Sequence, residues 1–259
     1  MRIATFNING VKARAEALCA WLDAQRPDVA LLQEIKSTDA AFPHEMLEDR
    51  GYNLAIHGQK GFNGVAILSL LPLEDVARGL PGDDDDTQAR WIEATVTGAR
   101  AVRLCCLYLP NGNPAPGPKF DYKLAWMARL EARARALLET EMAVVMAGDY
   151  NVIPQPEDAA RPEAWEGDAL FRPESRAAFR RLLHLGYTEA FRAEVRGPGH
   201  YTFWDYQAGA WRRNDGIRID HALLSPQAAD LMTGCRIEAE MRGGDKPSDH
   251  VPLWVELDA

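Results

Sequence analysis

The chain has 259 residues, 47% of them hydrophobic and 26% charged, which is the balance of a folded domain with a substantial core and excludes an intrinsically disordered chain. Its formal net charge of −9 excludes wholesale electrostatic attraction to nucleic acid, though not a locally basic face on an acidic body. No apolar stretch is long enough to span a bilayer, and Met1 leads straight into a polar motif with no signal-peptide pattern, so no membrane association and a reducing cytoplasm are expected.

In chain order, residues 2–8 read as a strand, and 14–25 as a helix with Leu18, Trp21 and Leu22 on one face. Residues 28–33 are a short apolar run, the pattern of a strand buried on both faces. Paired strands follow at 53–57 and 64–69, then a hairpin at 90–97 and 102–109, with the acidic run 83–86 in a solvated turn before it. A long helix is expected over 119–140 and a buried strand over 142–147. The Pro- and Gly-rich stretch 154–173 reads as a long ordered loop, of which 158–171 matches no usable pattern. A helix at 175–185 and strands at 201–206, 217–224, 236–241 and 252–257 complete the chain. No linker divides it, so one domain over 1–259 is expected. Strands outnumber helices and the helices are dispersed between them. That pattern predicts an α/β, four-layer sandwich: two packed mixed β-sheets flanked by helices. Cys19, Cys105, Cys106 and Cys235 form no Cys-x-x-Cys pair and read as buried free thiols.

Four polar signatures sit at the ends of apolar runs: Phe6-Asn7-Ile8-Asn9-Gly10, Gln33-Glu34-Ile35-Lys36, Gly148-Asp149-Tyr150-Asn151 and Ser248-Asp249-His250. Singly, each has a plain structural reading. Glu34 is a solvated strand end, Asp149 to Asn151 an Asx turn, and Pro110-Asn111-Gly112 a turn. The histidines His44, His57, His184, His200 and His221 read as structural. Together, the four signatures place hard oxygen ligands, a carboxylate base and an imidazole at one rim of a sheet, the equipment of metal-assisted phosphate ester cleavage.

The set, with Gly64-Val65-Ala66-Ile67-Leu68-Ser69, Tyr108-Leu109-Pro110-Asn111-Gly112, Tyr201-Thr202-Phe203-Trp204-Asp205-Tyr206 and Arg218-Ile219-Asp220, resembles the exonuclease III family of abasic-site endonucleases, within the endonuclease/exonuclease/phosphatase superfamily. The matching stretches run from residue 5 to 254. The resemblance implies a magnesium-dependent DNA repair nuclease, with manganese as a substitute metal, that cuts 5′ to abasic sites in duplex DNA and trims 3′ ends. It implies Glu34 as the main metal ligand, with Asn7 beside it and Asp149, Asn151, Asp249 and His250 as further candidates. Asp149 would activate water, Asn151 would hold the scissile phosphate, and His250, held by Asp220, would stabilise developing charge. Tyr108 and Asn111 would line the same phosphate site. Phe203, Ile217 and Ile219 would form an apolar pocket for a sugar lacking its base. Lys12, Lys36, Lys60, Arg90, Lys123 and Arg218 would form basic rims for duplex DNA carrying abasic sites or blocked 3′ ends. Position 12 is Lys where this family commonly has arginine, which removes bidentate phosphate contact there. A monomer is expected. Two other readings compete: a lipid or inositol phosphate phosphoesterase of the same superfamily, and a non-catalytic nucleic-acid-binding module. The second has no use for four carboxylates that repel phosphate without a metal.

Overall fold

The computed structural model describes residues 1–259. The chain first lays down β1 (Arg2–Asn7), β2 (Val29–Gln33), β3 (Asn53–His57) and β4 (Val65–Ser69) in one sheet. It then builds a whole second sheet from β5 (Glu74–Arg78), β6 (Trp91–Thr97), β7 (Ala101–Tyr108), β8 (Ala143–Asp149), β9 (Thr188–Glu189) and β10 (Asp220–Leu224). Finally it returns to the first sheet with β11 (Met232–Ile237) and β12 (Leu253–Leu257). The strand orders are β11-β12-β1-β2-β4-β3 and β5-β6-β7-β8-β10-β9. Both sheets are mixed: β1 pairs parallel with β2 and antiparallel with β12, and β7 pairs parallel with β8.

Side-chain alternation divides each strand between two cores. Ile3, Leu31, Ile67, Leu104, Val145 and Leu253 meet between the sheets. The opposite faces are covered by helices. Leu18, Trp21 and Leu22 of α1 (Ala15–Gln25) pack on the first sheet against Phe6 and Leu32. Behind the short α2 (His44–Glu48) come α3 (Pro118–Leu138) and α4 (Pro173–His184), which cover the second sheet with Trp126, Leu130, Phe179 and Leu182. The two small helices α5 (Ala190–Glu194) and α6 (Pro226–Ala229) flank β9 to β11. The expected four-layer sandwich is the one observed, and no helix is long and apolar enough to cross a membrane.

Three expectations fail, each for a local reason. Residues 201–206 are not a strand: Phe203 makes only isolated bridges, to Ile217 and to His250, so it joins two segments without extending a ladder. Residues 217–219 likewise precede β10, because the Arg218 N–H donates to the Asp158 carbonyl (2.8 Å) rather than to a strand. The strand expected over 236–241 ends at Ile237, where the buried Glu238 carboxylate turns inward to accept from the Trp21 and Trp254 indoles (3.2 and 2.7 Å). The exposed, charged edge strand β5 has no apolar alternation and was not expected.

One buried charge cluster pins the irregular segments to the second sheet. Arg218 donates to Asp158 (2.9 Å) and to Glu189 (2.8 Å), and Arg192 reaches Asp158 from α5 (2.5 Å). Burial pushes the Glu189 carboxyl upward, but the Arg218 charge, the His221 ring and the Arg192 N–H together outweigh it and bring the group from its ordinary 4.5 down to about 2. A depressed carboxylate contributes stability that is present above its unfolded value and lost as pH falls through the folded one. Arg218→Met leaves two buried carboxylates short of a partner and should cost about 3–5 kcal/mol at neutral pH. Because the wild type alone loses the Glu189 contribution between pH 4.5 and 2, the gap in unfolding free energy between the two proteins should narrow across that window. Denaturant titrations at a series of pH values measure it, and a constant gap would remove the cluster from the account of stability.

Candidate active site at the rim of the sandwich

The alternation that fills the inter-sheet core also delivers the polar residues. Asn7 continues the inward face of Ile3 on β1, Tyr108 that of Leu104 and Cys106 on β7, Asp149 that of Val145 and Ala147 on β8, and Asp220 that of Ala222 on β10. Register then aligns them. Tyr108 and Asp220 both pair with Asp149 on either side, and Asn7 pairs with Gln33, next to Glu34. Position 148 must be glycine, because a Cβ there would lie 1.9 Å from the Leu107 carbonyl oxygen. Glu34 has left the strand, with φ at +48° in the left-handed region, which turns its carboxylate back toward the rim.

The Asn7 amide ties the site together. Its Nδ2 donates to Glu34 Oε1 and to Asp149 Oδ2, both at 3.0 Å, while its Oδ1 accepts the Asn9 N–H. Behind Asp149, His250 Nδ1 lies 2.8 Å from Asp220 Oδ2, which leaves Nε2 directed at Asp149 Oδ2, 3.7 Å away. Thr202 Oγ1 accepts the N–H groups of Ile219 and Asp220 (both 3.1 Å) and so sets the start of β10. Asn111 Nδ2 donates to Asn151 Oδ1 (3.2 Å), and Asn151 Nδ2 donates to the Leu109 carbonyl (2.9 Å). Asn7 and Asn151, expected among the metal ligands, each accept one hydrogen bond from the protein at Oδ1 and stand outside the Glu34, Asp149 and His250 group.

Glu34, Asp149 and His250 present ligand atoms that all lie within 4.8 Å of one another. Burial pushes Asp149 up to about 7; His250 opposes this, and the Asp220 and Glu34 charges add to it. Burial disfavours charge on His250, but the Asp220 and Asp149 carboxylates outweigh it and push the ring up to about 10. Glu34 is held low: burial acts upward, and the Asn7 and Lys36 hydrogen bonds overcome it. Tyr108, facing Glu34, is raised well above its ordinary value, mainly by burial, and stays a donor. Two carboxylates crowded around one point, beside a third on Asp220, are the donor chemistry that suits a hard divalent cation. The residues present fit such an ion. Asp249, expected as a ligand, stands outside this group and accepts from the Asn9 side chain (3.0 Å), although it borders the same cavity.

That cavity has a volume of about 170 Å³, and Phe203, Ile217 and Ile219 form its apolar side as expected. Phe203 stacks edge-on against His250, with ring centroids 5.0 Å apart. Two further walls, Trp165 and Leu170, come from the segment that matched no pattern. Asn9, the unremarked second Asn of the first motif, accepts from Lys36 (2.5 Å) and orients both Asn7 and Asp249. The basic rim needs correction. Lys123 and Arg218 are fully buried, at 0% and 1% exposure, and cannot meet a DNA phosphate. Lys123 instead donates to the backbone carbonyls of Asn111 (3.1 Å) and Asn151 (2.6 Å), clamping the two loops that carry Tyr108, Asn111, Asp149 and Asn151. Arg90 lies over the Tyr108 ring at 4.9 Å and donates to its carbonyl, and Lys36 is paired with Glu34 at 2.9 Å. Of the six expected rim residues, Lys12 and Lys60 alone stand exposed without an ion pair.

The model of the Endonuclease/Exonuclease/phosphatase family matches residues 4–250. Exodeoxyribonuclease III of Haemophilus influenzae is 35% identical to this chain, covering 99% of it and 100% of the relative. Among solved structures, an AP endonuclease from Archaeoglobus fulgidus superposes with a TM-score of 0.93 at 34% identity over 100% of both chains. A 3′ phosphatase from Neisseria, bound to a product DNA hairpin, superposes with a TM-score of 0.96 at 36% identity, again over 100% of both.

Two measurements test this geometry without reference to turnover. Glu34→Gln keeps the side-chain volume and removes one of the two carboxylates facing the cation position. Calorimetric titration with magnesium or manganese should show at least about tenfold weaker binding, in line with the loss of one charged ligand. Unchanged affinity would take Glu34 out of the ligand set. Lys123→Met strands two buried carbonyls, which costs about 1–3 kcal/mol each when no water replaces the donor. Thermal denaturation should register that loss, whereas a surface lysine would give a change near zero.

Proposed function

Since the chain belongs to the endonuclease/exonuclease/phosphatase family and is a hydrolytic DNA repair nuclease, we propose that it cuts the phosphodiester 5′ to abasic sites in duplex DNA and acts as a 3′-5′ exonuclease that also trims blocked 3′ ends, with magnesium as cofactor and manganese as substitute. Residues 1–259 act in this reading as one catalytic domain and as a monomer. The observation that carries it is the placement of Asp149, tied to Glu34 through the Asn7 amide on one side and facing the His250–Asp220 pair on the other. The names of its relatives support both halves, one being an AP endonuclease and another a 3′ phosphatase holding a DNA product.

Glu34 and Asp149 would hold the metal, which when bound neutralises the phosphate and the leaving oxygen. The remaining steps belong to the chain. Asp149 accepts the proton of the attacking water, and the neighbouring Asn151 N–H holds one of its carboxylate oxygens in place (2.9 Å). Asp220 orients the His250 ring and sustains its charge, so that the Nε2 N–H donates to a phosphate oxygen as charge develops there. The Tyr108 hydroxyl and the second N–H of the Asn151 amide donate to the other oxygens. Fixed donors of this kind cost no reorganisation at the moment of reaction. Phe203, Ile217 and Ile219 pack against the sugar.

A duplex with a single synthetic abasic site tests the reading, with intact and nicked duplexes as controls. Incision should require a divalent cation and stop in excess EDTA. Asp149→Asn preserves volume and should lower the single-turnover rate by about 10²–10⁴, with duplex affinity retained. Cleavage that persists in EDTA, or a rate for Asp149→Asn within a few-fold of wild type, would overturn the mechanism.

A further inference from the structure

A second cavity adjoins the catalytic one. Its volume is about 360 Å³, and it shares three walls with the catalytic cavity: Trp165, Phe203 and Ile217. The catalytic cavity, at about 170 Å³, falls below the range of roughly 300–1,000 Å³ that organic ligands usually occupy, and the outer one falls within it. With a sugar and phosphate in the inner space on the nuclease reading, a base attached to that sugar would extend past the shared walls Trp165, Phe203 and Ile217. We propose that the outer cavity is a nucleobase subsite, which receives the base of an intact 3′-terminal nucleotide whose sugar and phosphate lie in the catalytic cavity. The inference rests on the nuclease reading and adds to its 3′-5′ exonuclease activity a place for the base of the nucleotide being removed.

The chemistry of the walls fits a base better than a sugar or a peptide. One side is flat and apolar, made by the half-buried Trp165 and Phe203 with the buried Ile217. The other side is a ring of fixed polar groups. Asp215 holds two guanidinium groups, Arg161 (2.5 Å) and Arg213 (3.4 Å), and Gln207 stands beside them. Aromatic faces accept any base by stacking, and guanidinium planes do the same while donating to base edges. The walls are also held rigidly. Ala159 bridges to Ile217, the Ala160 N–H donates to the Gly216 carbonyl (2.9 Å), and Asp158 is anchored by the buried Arg218. Gly216 is close-packed against the Trp204 indole, where a Cβ would come within 2.5 Å of Nε1. The segment from Asp158 to Leu170 therefore stands as a fixed wall beside the catalytic residues. On this account the Phe203–Ile217–Ile219 pocket does not exclude a base; it hands the base on to a neighbouring compartment.

The test compares two hairpins with the same duplex, one ending in an intact 3′ nucleotide and one in a 3′-phosphate, which carries no base beyond the scissile bond. Ala164→Trp, at an exposed position on the outer cavity alone, fills the subsite from its rim; Trp165→Leu removes the stacking face. Base stacking on an aromatic side chain is worth roughly a five- to hundredfold change, so the ratio of nucleotide removal to 3′-phosphate removal should fall by about that factor in both variants. A second readout needs no chemistry. A hairpin ending in 3′-terminal 2-aminopurine, bound in EDTA, should change its fluorescence with the wild type and lose that change with either variant. If both folded variants keep the wild-type ratio and the fluorescence change, the subsite is overturned while the nuclease assignment stands. If the wild type removes neither end group in magnesium, the nuclease assignment itself fails, and the inference fails with it.

Discussion

One side-chain amide joins the two halves of this molecule. Asn7 belongs to the first sheet, Asp149 to the second, and Glu34 to the loop leaving β2; the Asn7 nitrogen bonds both carboxylates at 3.0 Å. Its reach requires the two sheets to lie at one separation and one stagger, and the interdigitated inter-sheet core supplies both. Carboxylates so close together repel and are poorly solvated, so the fold itself has to hold them in place. Where the two inner faces run out of apolar residues, the same period-two alternation that built the core puts Asn7, Tyr108, Asp149 and Asp220 at the rim. The catalytic cluster is in that sense the last layer of the core, with polar atoms in place of methyl groups.

Three of the basic side chains expected at the rim set loop positions instead. Lys123 beneath the Asn111 and Asn151 carbonyls, Arg218 between Asp158 and Glu189, and Arg90 over Tyr108 are all taken by the protein. Close-range donors inside the cavity then take the contacts that these three residues cannot make. This also separates the site from a simple phosphate-binding face. A non-catalytic module would gain from exposed lysines and lose from Glu34, Asp149 and Asp220.

The architecture was legible because periodicity and motif ends agree: eight of the eleven expected strands are present within a residue or two, and the four polar signatures do converge. Burial of charge was less legible, but it left a trace. In α3 the buried residues Phe120, Lys123, Met127, Leu130, Ala134 and Leu137 recur at helical spacing, so Lys123 sits on the apolar stripe, where a DNA-facing lysine has no place. Arg218 alternates with Ile217 and Ile219, and its side chain therefore leaves on the face opposite the pocket. Neither partner of these cations could be read locally, since Asp158 lies 60 residues from Arg218. Segment 158–171 stayed opaque for a different reason. It has a single 3-10 turn at Pro162–Trp165 and no period, and its start is ordered by the bridge from Ala159 to Ile217 and the Asp158–Arg218 pair.

That opacity has a physical meaning. Residues that perform the bond-breaking must meet at fixed distances, so they sit on regular strands, and their spacing shows in the sequence. Residues that choose the substrate need only present a surface of the right shape, and irregular chain can do so once it is anchored. Here the anchor is a buried ion cluster, which is costly to build and destabilising to break but geometrically demanding. An apolar plug at Arg218 could fill the same volume. It would not tie residue 158 to residue 218 at one distance, and the start of the wall would then rest on the Ala159–Ile217 bridge and the Ala160 N–H alone. The charge cluster is thus best understood as what keeps the selective wall in register with the catalytic rim.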